Sequence, residues 1–185
     1  MDNDYDIKTG KLLIAAENLH DPNFDRTVIL LCEHSDKGSF GLVLNHKLKV
    51  RLNDVLKELS WNAQLFHGGP VEQNSLHFIH CRDDISVSSK KIIPGVFWGG
   101  DFNRMKHLIE EGVVQPEECR FFIGYSGWGK DQLHDEMERK SWYTRTATKD
   151  LIFSDDSPNH WRNVFKSMGP EYNILSKFPD DPRLN

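Results

Sequence analysis

Apolar residues in this chain come in short runs, about five residues at most, each closed by turn-forming residues. LLIAA (12–16) and VILLC (28–32) are examples. Runs of this length suit single buried strands. They fall far short of the roughly 20 residues that a membrane-crossing helix needs, so no membrane contact is expected. The 185 residues are read as one domain, 1–185, with irregular ends at about 1–10 and 176–185.

Turn residues set the order of the elements. KLLIAA (11–16) reads as a strand, DPNFDR as a turn around Pro22, and TVILLCEH (27–34) as a buried strand. SDKGS then leads to FGLVLN (40–45), a hairpin with a five-residue loop. Apolar residues at 52, 55, 56 and 59 predict a helix with Asn53 as its cap. Further strands are read in QLFHGGPV, SLHFIHC, GVFWGG, ECRFFIGYS and SWYTRTA. A helix over DFNRMKHLIEEG would start at Asp101 and stop at Gly112. DQLHDEMERK is read as a helix capped by Asp131, with Leu133 and Met137 inward and Glu136 paired outward with Lys140. SPNHWRNVFKSMG is a helix capped by Ser157 and stopped by Gly169, and the tail KFPDDPRLN is irregular. Strands and helices do not alternate regularly, which favours a mixed α+β class over a doubly wound sheet.

Charge and cysteine content exclude several functions. A formal net charge of -5 gives no global field for nucleic acid. The basic cluster Lys47, Lys49 and Arg51 is the one place where phosphates could be touched. Cys32, Cys81 and Cys119 form neither a C-x-x-C pair nor an even set, which points to a reducing, cytoplasmic setting. The acidic start MDNDYDIKTG has no apolar core of the secretion-signal type. His77 and His80 sit three apart on a strand and face opposite ways, so no metal site and no cofactor are expected.

The stretch FIGYSGWGKDQL (122–133) has the ingredients of a phosphate cradle or a nucleophile turn. It matches neither a P-loop nor G-x-S-x-G, because Trp128 stands where the second glycine belongs. A capping carboxylate at Asp131 would also repel a phosphate. The segment is read instead as a glycine corner that seats Trp128 beside a surface groove.

Four segments, LLIAAENLHDPNFDRTVILLCEH, GSFGLVLNHKL, FHGGPV and GYSGWGKDQLHDEM, together closely resemble the YqgE/AlgH family of bacterial proteins. The likeness runs from about Lys11 to Met168. It implies a mixed fold in which a bifurcated β-sheet curls into a pseudo-barrel with helices packed outside. Some members carry a transcriptional-regulator label. The chain departs from the family pattern at His46 and Lys47 and at Lys130 and Asp131, which changes the charge at two corners.

Many matching positions are polar residues or glycines in predicted loops, where binding usually resides. The expectation is a single groove. It would gather Asp21 and Phe24, Glu33 and His34, Asn45, the Gly68–Gly69–Pro70 corner, Tyr125, Trp128, Gly129 and Gln132. It would bind a small molecule, a peptide or a protein partner and serve a regulatory, non-enzymatic role. The alternatives are direct DNA contact through the basic cluster, and an enzyme with His34 as base.

Overall fold

The computed structural model describes residues 6–59 and 61–177. The readings made on 1–5 and on the tail from 178 lie outside the described residues. Among those described, ten strands form one sheet: β1 (Lys11–Ala15), β2 (Val28–Ser35), β3 (Gly38–Val43), β4 (Lys47–Arg51), β5 (Gln64–His67), β6 (Val71–His80), β7 (Lys90–Ile93), β8 (Val96–Trp98), β9 (Cys119–Gly129) and β10 (Trp142–Thr146). Five helices accompany them: α1 (Leu52–Val55), α2 (Phe102–Glu110), α3 (Gln132–Glu138), α4 (Lys149–Ile152) and α5 (His160–Met168).

The strand order is β10-β1-β2-β3-β9-β6-β8-β7, and β5 branches from β9 and carries β4. The branch point is a division of labour along β9. Its first half pairs β6 on one edge and β5 in parallel on the other. Its second half pairs β3, with Gly38 opposite Gly129. The sheet is therefore bifurcated and of mixed direction, as expected. Its curl stops short of closure: β7 comes back beside β2, where Lys90 Nζ lies 2.9 Å from Glu33, but no ladder joins them.

Alternation along β9 feeds separate cores. Phe121 packs with Leu65, Phe78 and α2 residues Met105 and Leu108. Phe122 faces the other way, into the core of Leu12, Leu30, Leu42 and α5 residues Trp161, Val164 and Phe165. A third core sits on the opposite face of β1–β3, where Leu13, Ile29 and Leu31 meet Trp128, Trp142 and α3 residues Leu133 and Met137. A fully buried phenylalanine such as Phe165 would cost about 3–5 kcal/mol if truncated to alanine.

Four local readings need correction. The β2–β3 turn has only Asp36 and Lys37 between Ser35 and Gly38, not five residues, because β2 carries on past His34. The helix at 52 is a single turn: Asp54 takes the backbone N–H of Arg51 at 2.7 Å, and Asn53 is not the cap. Leu59 buries itself outside the helix. Ser157 does not cap α5. It opens a 3-10 turn over Ser157–Asn159, and α5 starts at His160. The segment from Phe122 to Gly129 is strand, not corner. Gly124 answers to neighbouring backbone: with φ +68°, a Cβ there would lie 2.6 Å from the Gly69 carbonyl oxygen.

Candidate functional site

The register of β9 decides which predicted residues can meet. Ser39 pairs with Trp128 and with His34, so these three share one face. Phe40 pairs with Gly127 and with Glu33, so Glu33 belongs to the other face. A bulge between Leu31 and Glu33 shifts that register by one residue. Tyr125 goes with the Glu33 face, where it stacks on Phe40 at 4.7 Å and meets His77 edge-on at 5.6 Å.

On the Trp128 face a groove of about 330 Å³ opens between the turn after β1, the end of β9, α3 and the start of β10. Asp21, Phe24, Trp128 and Gln132 line it, together with Glu136, Arg139 and Trp142. The turn is held by Asp21: its carboxylate accepts the Asn23 N–H at 2.8 Å and its carbonyl accepts the Phe24 N–H at 2.9 Å. Phe24 then lies 6.3 Å from Trp128 and 5.6 Å from Trp142, centroid to centroid.

Glu136 organises the floor. Its Oε2 accepts both indole N–H groups, from Trp128 at 2.9 Å and Trp142 at 2.8 Å. Its Oε1 accepts from Gln132 Nε2 at 3.0 Å. Gln132 in turn uses its own Oε1 to accept the Gly129 N–H at 3.0 Å. Asp131, expected to cap α3, sits at φ +61° with no side-chain cap bond. The corresponding Asp101 does cap α2, accepting the Arg104 N–H at 3.0 Å. Glu136 points inward to the indoles rather than outward to Lys140. Its place in the site could have been read from the i,i+4 spacing to Gln132.

The other predicted residues lie elsewhere. Glu33 pairs with Lys90, and His34 Nδ1 is 2.7 Å from Ser39 Oγ at the strand end. Asn45 fastens two strands, accepting the Val28 N–H at 2.9 Å and donating to the Arg26 carbonyl at 2.8 Å. Gly68 and Gly69 press against the backbone of Gly124 and Tyr125, and Pro70 leads into β6. The single groove expected from the loops is therefore divided. The physical reason is that a pleated sheet sends adjacent residues to opposite sides.

The remaining reactive side chains are mostly withdrawn from water. Burial pushes the Cys32 and Cys119 thiols up, and Cys81 likewise. Ser126 is buried and gives its hydroxyl to the Gly68 carbonyl at 3.1 Å. Desolvation lowers His46, His77 and His80, and it takes His160 to about 4, with help from the nearby Arg120 charge. Among the described residues no group of three or more His, Cys, Asp or Glu is placed to hold a metal ion. No helix among them is long and apolar enough to cross a membrane.

Comparison with known proteins shows the family and the fold. The model of the AlgH-like family matches residues 12–173. This chain belongs to the AlgH-like family. It is 46% identical over 181 residues to a UPF0301 protein of Cytophaga hutchinsonii, covering 97% of this chain and 100% of that one. A UPF0301 protein of Chlorobaculum parvum is 41% identical over 187 residues, the full length of both. The solution structure of AlgH from Pseudomonas aeruginosa is similar, with TM-score 0.73 and 25% identity over 94% of this chain and 95% of that one. A crystal structure from Corynebacterium diphtheriae shares the fold, with TM-score 0.76 and 24% identity over 93% of each chain. Asp21, Phe24, Trp128, Gln132 and Glu136, which line the groove, all lie within the matched span.

Proposed function

We propose that the chain is a non-catalytic binding module whose recognition site is the groove beside Trp128. One observation carries the reading. Asp21 and Phe24, Trp128, Gln132 and Glu136, and Trp142 come from distant stretches of sequence and line one cavity of about 330 Å³. Such a volume lies at the small end of ligand sites and suits a group of side-chain size, free or carried on a partner's loop. Phe24 offers an apolar wall, Asp21 a carboxylate, Gln132 an amide and Arg139 a cation. Glu136 is tied to three donors, so its role is to hold the indoles and not to move protons. The output of such a module is occupancy, which makes its role regulatory.

The test is NMR titration with N-acetyl amino-acid amides, read at the indole N–H signals of Trp128 and Trp142. At least one probe shifts both signals saturably, and Asp21→Asn or Gln132→Ala weakens that response. The reading fails if every probe leaves both indole signals in place and native mass spectrometry finds no bound ligand.

A further inference from the structure

A second cavity lies at the other end of β9, and the Trp128 groove does not involve it. This cleft of about 240 Å³ is bounded by β4 and β5, the 3-10 turn Pro116–Glu118 and the segment after α4. Trp61, Phe66 and Phe153 supply aromatic walls, and Lys47, Arg51 and Arg120 bring three cations to its lining, against Glu117 and Asp155.

Arg120 is the unusual member. It is only 6% exposed, inside the apolar strand CRFFIG. Its guanidinium carbon sits 4.3 Å from the centroid of the Phe66 ring. Nη1 donates to the carbonyls of Leu44 at 3.2 Å and Ile152 at 2.9 Å, and Nη2 to that of Ser154 at 2.9 Å. All three acceptors are neutral. The nearest carboxylate oxygen, Asp155 Oδ1, is 3.9 Å from Nη2, on a side chain 92% exposed to solvent. A guanidinium has five N–H donors, so among the described residues two are left without a hydrogen bond. Taking a charge out of water is costly: burial lowers Arg120 to about 10, with only the solvent-exposed Asp155 carboxylate opposing the fall. At the rim, Lys47 donates to the Asp155 carbonyl at 2.9 Å. Neither Lys47 nor Arg51 joins an ion pair among the described residues.

We propose that this cleft binds a small oxyanion, a phosphate or carboxylate carried on an aromatic body, with Arg120 as the buried counter-charge and Arg51 and Lys47 at the entrance. Guanidinium suits both oxyanions because its fork matches their geometry. The aromatic walls account for the body, and the buried cation accounts for the head.

The experiment is calorimetric titration of the full chain at low ionic strength with phenyl phosphate, benzoate and inorganic phosphate in separate arms. Phenyl phosphate or benzoate binds saturably with Kd of about 0.1–1 mM, and inorganic phosphate binds more weakly for want of the aromatic contacts. Which of the two aromatic acids binds tighter names the head group. The double variant Lys47→Gln, Arg51→Gln, altered only at exposed rim positions, weakens binding about tenfold. Arg120→Lys, which keeps the charge but loses the fork, weakens it further if circular dichroism shows the fold intact. Asp21→Asn, in the other groove, changes nothing here, so this site stands or falls separately from that one. The proposal is overturned if neither aromatic acid binds at about 10 mM, or if binding is indifferent to the rim substitutions.

Discussion

Glu136 and Arg120 are both charged, both lie against aromatic rings, and neither has an opposite charge within hydrogen-bonding distance among the described residues. Their partners differ. Glu136 is met by two indoles and an amide, three neutral side-chain donors reaching in from β9, α3 and β10. Arg120 is met by three backbone carbonyls, which belong to the chain whatever its side chains are. The carboxylate is close to saturated and locks the shape of its groove. The guanidinium spends three of its five donors on carbonyls and has no carboxylate oxygen closer than 3.9 Å. A half-buried carboxylate met by three donors holds its groove in shape; a buried guanidinium met by carbonyls is where the oxyanion is proposed to bind.

Removing each charge tests that contrast. Arg120→Met leaves three carbonyls without their donor and should cost about 3–5 kcal/mol in urea unfolding. A near-neutral result would show that the carbonyls find other donors and that Arg120 does not tie α4 to the sheet. Glu136→Ala strips the acceptor from two buried indoles and should cost about 2–4 kcal/mol, while Glu136→Gln keeps one acceptor and costs about 1 kcal/mol. Equal losses for the two would mean that packing, not the shared acceptor, holds the tryptophans.

Acid should weaken the Arg120 side through His160. His160 falls to about 4 in the fold through burial and then through the Arg120 charge. The fold thus favours its neutral form. Above the ordinary value of 6.5 both folded and unfolded chains are neutral there, and no stability is at stake. As pH falls from about 6.5 toward 4 the unfolded chain takes up the proton first, and stability drops. His160→Gln should flatten that part of the stability-against-pH curve. A slope unchanged by the substitution would place the acid sensitivity in His46, His77 or His80.

The two aspartates ahead of α2 and α3 give the smallest effects. Asp101→Ala loses a real cap and should cost about 1 kcal/mol. Asp131→Gly relieves a left-handed residue and should stabilise by about 0.5 kcal/mol. A loss at Asp131 instead would mean that its carboxylate supports α3 in solution.

Much of this fold was legible in sequence. Short apolar runs marked β1, β2, β6 and β9, because burial demands such runs of a strand, and Asp101 and Gly112 marked the ends of α2. The family resemblance rested on turns and glycines, whose backbone demands are local. Half of the groove was legible for the same reason: Asp21, Phe24, Trp128 and Gln132 stood out as polar or aromatic residues at element ends. Glu136 and Trp142 were missed because a surface salt pair and a core aromatic are the usual meanings of those residue types. Arg120 was missed because a lone cation inside CRFFIG carries no pattern of its own.

What the sequence determined by itself was the set of elements and the mixed α+β class, since hydrophobic period and turn chemistry act over a few residues. What only the tertiary structure decided was which face each candidate joined. A one-residue bulge in β2 and the pairing of β3 with the end of β9 put Glu33 on the Tyr125 side of the sheet and His34 on the Trp128 side. Two Asp-led helix starts of similar pattern likewise came out with opposite backbone signs at Asp101 and Asp131. Register and strand pairing are set by contacts between segments far apart in sequence, so no local reading contains them.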